Sequence, residues 1–232
     1  LEIFIMEEIY IHHHLGLGDH IICNGLIRSL SKKININLFV KKINSLNVSY
    51  MFRDLFNVNI IIIENDNDVY LKYNNKKILR IGFENLTRLM ETYSIGWDEC
   101  FYKQLEIPFN LRWDEFYFLS DEERENKLYE KLNNENHKFC LIHSTGSDGV
   151  NRVDYDIVDK DLHIIEIKKE YTNNIFDYCK LIKLATEIHC IDSSFLHLVD
   201  SLETFGKLFY HNLKYTRNQN ETHKQIKNWI LV

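Results

Sequence analysis

The feature that most constrains this chain is an order: short apolar, β-branched runs alternate with segments of helical periodicity over most of its length. A strand returns parallel to its predecessor only through a crossover, usually a helix, so such alternation predicts parallel sheets with helices on their faces. Strands are expected at residues 8–14, 37–41, 58–64 and 77–82, with helices at 19–32 and 46–56. The run Ile60, Ile61, Ile62, Ile63 is continuous and β-branched, as a strand buried on both faces would be. Residues 83–118 are less regular, with aromatics at Tyr93, Trp97, Phe101 and Tyr102 and the one proline, Pro108. A charged helix is expected at 120–136, with Ser120 and Glu123 as its capping box. The alternation then restarts with strands at 137–143, 162–168, 188–191 and 207–211 and helices at 174–187, 193–202 and 222–231. The expected organisation is therefore two β/α domains, 1–119 and 137–232, joined by a linking helix at 120–136.

Composition removes several classes of function. Of the 232 residues 45% are hydrophobic and 27% charged, ordinary for a globular protein, and there is no apolar run long enough to span a bilayer. The formal net charge of -6 lacks the basic footprint of a general nucleic-acid binder. The five cysteines, Cys23, Cys100, Cys140, Cys179 and Cys190, contain no C-x-x-C pair, so neither a disulfide framework nor a zinc motif is expected, and the location read from them is cytoplasmic. The chain begins at Leu1 rather than Met, so one expectation is a piece of a longer multidomain chain.

In open α/β sheets, ligands bind beyond the carboxyl ends of the strands. The chemically active residues fall there: Gly16, Gly18, Asp19 and His20 after the first strand, 144–149 after the strand that opens the second half, Asp192, Ser193 and Ser194 later on, and His211 and Asn212 after the last strand of the alternation. The first loop does not complete G-x-G-x-x-G, and a carboxylate at Asp19 would repel a pyrophosphate, so NAD and FAD are not expected. No P-loop motif occurs. Asp19 as a simple helix cap is the structural alternative. The second half suits an anion better. Ser144, Thr145 and Ser147 offer hydroxyls, Gly146 and Gly149 close backbone approach, Arg152 a guanidinium fork, and Ser193 and Ser194 open a helix whose free N–H groups favour negative charge.

The stretch HLGLGDHIICNGLIRSL resembles the first loop and helix of heptosyltransferase-like glycosyltransferases, of the type that transfers heptose to lipopolysaccharide. IHCIDSSFLHLVDSL is similar to a strand, Asp-Ser/Thr and His-Leu helix in their second half. The resemblance implies a GT-B-like α/β fold, two Rossmann-like β/α/β domains facing across a cleft, acceptor on the first and nucleotide sugar on the second. It maps the proposed base of those enzymes onto Asp19, where a carboxylate at a loop tip can take the proton of an attacking hydroxyl. The donor-side candidates are His143, Ser144, Thr145, Arg152, Ser193, Ser194 and His197; the acceptor-side candidates are His14, Gly18, His20 and Asn24.

His12, His13 and His14 alternate along a strand, so only His12 and His14 share a face, and no partner has metal-ligand spacing to make zinc from them. Asp66-Asn67-Asp68 resembles the Asp-x-Asp metal clamp of GT-A enzymes, but Asp154-Tyr155-Asp156 and Asp159-Lys160-Asp161 share that spacing, and the repeated β/α plan favours a solvated turn. The expected activity is transfer of a sugar from a nucleotide-diphosphate sugar to a glycan or glycolipid hydroxyl, metal-independent, without a cofactor and inverting by analogy. The alternatives are a non-catalytic nucleotide- or glycan-binding module and a Rossmann-like methyltransferase. The last is disfavoured because Val40-Lys41-Lys42 puts positive charge where a ribose-binding acid is wanted.

Overall fold

A computed structural model describes residues 7–146, 149–211 and 224–232. The chain divides into two compact units, Leu1–Leu119 with Arg217–Lys224, and Ser120–Thr216 with Gln225–Val232.

The first unit is built on four parallel strands, β1 (Glu8–His12), β2 (Asn35–Lys41), β3 (Val58–Ile63) and β4 (Ile78–Arg80), in the order β3-β2-β1-β4. The register pairs Tyr10 with Asn37 and Asn37 with Asn59. Its helices are α1 (Leu17–Ile22), α2 (Asn24–Ser31), α3 (Ser45–Met51), α4 (Asp66–Lys72), α5 (Leu86–Tyr93), α6 (Trp97–Lys103) and α7 (Leu111–Asp114). Leu15, Phe39, Ile63 and Val69 form one buried cluster, with Tyr10, Ile61, Tyr73 and Ile78 packed against it. Burying each large side chain is worth about 1.5–3 kcal/mol, and such clusters hold helix to sheet. Gly25 is required by packing, since a Cβ there would stand 1.9 Å from the Leu111 carbonyl oxygen, where α2 crosses α7.

The second unit has five parallel strands, β5 (Phe139–His143), β6 (His163–Glu166), β7 (Glu187–Cys190), β8 (Lys207–Tyr210) and β9 (Trp229–Leu231), in the order β6-β5-β7-β8-β9. Its helices are α8 (Glu122–Leu132), α9 (Cys179–Leu184), which follows a 3-10 turn at Ile175–Tyr178, and α10 (Ser194–Ser201). Helix α8 packs on that turn and on α9, and Arg124 forks onto Asp177 with two 2.8 Å hydrogen bonds. Both units are thus Rossmann-like α/β layers, as the alternation predicts.

Four local expectations are corrected. The helix expected at 19–32 is two helices that bend at Cys23 (φ −81°, ψ 2°). The Ile60–Ile63 run is an edge strand, at one end of the order β3-β2-β1-β4, and Ile62 is 56% exposed; continuous apolarity alone does not distinguish a central strand. Asp121, not Ser120, caps α8, accepting from the Arg124 amide at 3.2 Å. The expected C-terminal helix does not form in its described part, which ends in strand β9: the Asp200 carboxylate gathers the amides of Ile226 and Lys227 and the Trp229 indole N–H, which holds this backbone out of a helix and against β8. Residues 222 and 223 of that expected helix lie outside the described residues.

Candidate active site

Because both sheets are parallel, the loops after their strands gather at one edge of each unit. In the first unit the turn after β1 enters α1 with Gly16 as N-cap and Asp19 as the third helical residue. Asp19 is therefore not the cap itself. Its Oδ2 accepts from the Gly16 amide at 3.1 Å, half of a capping box. A Cβ on Gly16 would stand 2.5 Å from that oxygen, so a glycine is what lets the carboxylate fold back over the turn. The Asn44 amide ties the turn down by donating to the Leu15 carbonyl at 2.8 Å. Asp19 and Gly18 are half-buried.

Beside this turn His14 is half-buried in an aromatic nest, stacked on Phe83 at 4.8 Å and near Phe101 and Trp97, and its Nε2 donates to the Gly82 carbonyl at 2.6 Å. His13 and His20 lie beneath it, both buried, with ring centroids 4.4 Å apart. Among the described residues, His13 Nε2 and both nitrogens of His20 have no hydrogen-bond partner. Burial drives His13 down to about 4, and His20 well below the usual histidine range.

That pair should make the fold acid-sensitive. The unfolded chain takes up protons below pH ~6.5 that the native rings refuse, so stability is full above that pH and falls as the pH drops toward 4. His13 alone contributes a loss of about 3 kcal/mol by pH 4. Urea midpoints at pH 8 and pH 5 should show it, and His13→Leu should flatten the difference. An unchanged slope in that variant would contradict the assignment.

Asp66 and Asp68 both make hydrogen bonds, the Asp66 side chain with 44% of its surface exposed. Asp66 bonds His12 Nε2 at 3.2 Å and Lys41 Nζ at 2.9 Å. Burial opposes its charge, but the hydrogen bonds from Lys41 and His12 keep its carboxyl below the ordinary range. Asp68 accepts from the Glu64 amide at 2.9 Å and closes the capping box of α4.

In the second unit His143 ends β5, stacked on Phe195 at 5.5 Å. Its Nδ1 lies 3.1 Å from Ser193 Oγ, and that hydroxyl also accepts from the Leu196 amide at 3.4 Å as the N-cap of α10. A hydroxyl has one proton and two lone pairs, so Ser193 can accept from the Leu196 amide and still either donate to Nδ1 or accept from it, and the contact fits both neutral tautomers of His143. Burial lowers this imidazole to about 4, so it stays neutral at physiological pH. Ser194 opens the helix, half-buried beside Ser193. The loop after His143 is closed by a bridge between Thr145 and Asn151 and by the Arg152 amide donating to the Ser144 carbonyl at 2.9 Å. Arg152 Nη1 reaches the Val150 carbonyl at 3.1 Å. Ser147, Asp148 and Asn212 lie outside the described residues.

Three candidates are corrected by burial. Asn24 is wholly buried and clamps residue 117, donating to the Tyr117 carbonyl and accepting from its amide, both at 3.0 Å. His20 is in the core of the first unit, and His197 is 3% exposed within α10. All three side chains are buried, which leaves them little surface to offer a ligand.

Sequence reasoning missed the fully buried pair of Arg112 and Asp98, in which Arg112 also donates to the Lys224 carbonyl at 2.9 Å. It also missed Arg28, whose guanidinium forks onto Asp54 with two 2.8 Å bonds.

The fold and loops define a class: two parallel Rossmann-like units, each carrying its polar chemistry after its strands. No family model matches the chain, and no curated protein matches it in sequence. Among solved structures it is similar to the glycosyl transferase family 9 from Veillonella parvula DSM 2008, with a TM-score of 0.61 and 10% identity over 100% of this chain and 88% of that one. The likeness is one of fold over the whole chain. No described helix is long and apolar enough to cross a membrane.

Proposed function

We propose that this protein is a glycosyltransferase of GT-B type, with the nucleotide-diphosphate sugar on the second unit and the glycan or glycolipid acceptor on the first. The observation that carries the reading is the division of chemistry between the sheets. A carboxylate, Asp19, sits on the turn after β1, while a neutral imidazole, hydroxyls and a helix N-terminus sit after β5 and β7. The fold likeness to a solved glycosyltransferase supports it.

In this reading Asp19 accepts the proton of the acceptor hydroxyl as its oxygen attacks the anomeric carbon. The bond from that carbon to the diphosphate breaks, and the leaving group departs with its electron pair on the opposite face, which inverts the configuration. His143 donates from Nε2 to the diphosphate, and Ser144, Thr145, Ser193 and Ser194, with the α10 amides, share its charge. Arg152 adds positive charge to the same loop. His14 and Gly18 border the acceptor. The reaction uses neither a metal nor a cofactor, and the enzyme works in the cytoplasm, with which the five free thiols are compatible.

A thermal-shift panel of nucleoside diphosphates, nucleotide sugars and S-adenosylmethionine, with and without Mn²⁺, tests it. The expected result is stabilisation by a nucleoside diphosphate and its sugar, unchanged by Mn²⁺ and weakened in His143→Ala. Stabilisation by S-adenosylmethionine alone would overturn the reading.

A further inference from the structure

We propose that Cys140, Glu187 and His189 form a buried site for one zinc-like divalent cation in the second unit, separate from the groups assigned to sugar transfer. Cys140 and Glu187 are register partners on neighbouring strands, and His189 follows two residues along β7 on the same face. All three are buried, and one ligand atom from each lies within 4.8 Å of the others.

The distances around Glu187 point to an ion. Its carboxylate meets the Asp159 amide at 3.4 Å, His189 Nε2 at 3.5 Å and Lys207 Nζ at 3.6 Å. Charge-assisted hydrogen bonds close to roughly 2.7–2.9 Å, so this buried acid is ringed by partners that all stand off. A tetrahedral cation with bonds of ~2.0–2.3 Å holds its ligands roughly 3.3–3.8 Å apart. Glu187 and His189 already have that spacing, and Cys140 needs to close by at most about 1 Å.

One thiolate, one imidazole and one carboxylate select a borderline-soft ion over magnesium or calcium, and the two anions neutralise its charge. Three protein ligands leave a fourth place for water. Binding releases the Cys140 proton to solvent. It also turns round a relay. Asp154 N donates to His211 Nδ1 at 3.2 Å, and His211 Nε2 lies 3.0 Å from His189 Nδ1, so without an ion the ring protons point toward Glu187. An ion on His189 Nε2 moves both ring protons to Nδ1 and frees the Asp154 amide. Glu187 opens β7 and Cys140 lies near the start of β5, at the end of the sheet opposite His143 and Ser193, so the ion is structural.

The full chain, stripped with a chelator, should be titrated with Co²⁺ and then Zn²⁺. The expected result is one equivalent of Co²⁺ with a thiolate charge-transfer band, displaced by Zn²⁺, a melting temperature raised by about 5 °C or more, and faster exchange of the Asp154 amide. Cys140→Ser and Glu187→Gln should each weaken binding ~100-fold, while Cys179→Ser changes nothing. Absence of a saturable cobalt spectrum in the wild-type chain up to ~1 mM would overturn the proposal, even if the variants fail to fold. Unchanged affinity in folded Cys140→Ser and Glu187→Gln would do the same. Neither result bears on glycosyl transfer, which the nucleotide panel reads separately.

Discussion

Asp19→Asn lowers the turnover of sugar transfer by roughly 10²–10⁴-fold, the usual contribution of a positioned general base. The fold should survive the change. An asparagine Oδ1 still accepts from the Gly16 amide, so the capping bond of 3.1 Å persists and the stability cost stays below about 1 kcal/mol. Nucleotide affinity should also be unchanged, because the groups proposed to hold the donor lie on the other sheet. Turnover measured beside a nucleotide titration and a melting curve separates base from cap. If turnover is normal, Asp19 serves only the capping box of α1; if turnover and melting temperature fall together, the loss is one of folding.

The largest expected loss of stability comes from Arg112→Met. Arg112 and Asp98 are both fully buried, and Asp98 accepts from Arg112 and from the Lys224 amide at 3.2 Å. Methionine fills much of the arginine's volume but leaves Asp98 as a charge with too few partners, which costs about 3–5 kcal/mol. The melting temperature should fall by roughly 10–20 °C. The double variant Arg112→Met with Asp98→Leu should recover most of the loss, since an apolar pair of similar volume carries no desolvation penalty. Full stability in the single variant would mean that the pair is not closed in solution.

The parallel sheets were legible because apolar periodicity reports burial directly, and the restart of alternation at residue 137 marks the second sheet. The loops that carry the candidate residues were legible for a topological reason: in parallel sheets everything after a strand falls on one edge, so the places of Asp19, His143 and Ser193 follow from strand positions alone. What a side chain faces was not legible. His20 and Asn24 sit within five residues of Asp19, yet the first two turn into the core and Asp19 does not, a difference of helical phase that a polar letter does not carry. His197 fails for the same reason. The strand at Trp229–Leu231 was hidden because its conformation is imposed from Asp200, about thirty residues away, against a local pattern that reads as helix. Cys140, Glu187 and His189 escaped notice because their grouping comes from strand register, and no sequence spacing announces it.

The proposed activity, transfer of a sugar from a nucleotide to a hydroxyl, is tested most directly by release of nucleoside diphosphate from a panel of nucleotide sugars, with and without glycan and glycolipid acceptors and without added divalent ion. Acceptor-dependent release with one nucleotide sugar, a product heavier by one glycosyl unit and no acceleration by Mn²⁺ are expected. Tight nucleotide-sugar binding with no release for any acceptor, Mn²⁺ present or absent, would contradict it and leave a binding module in its place.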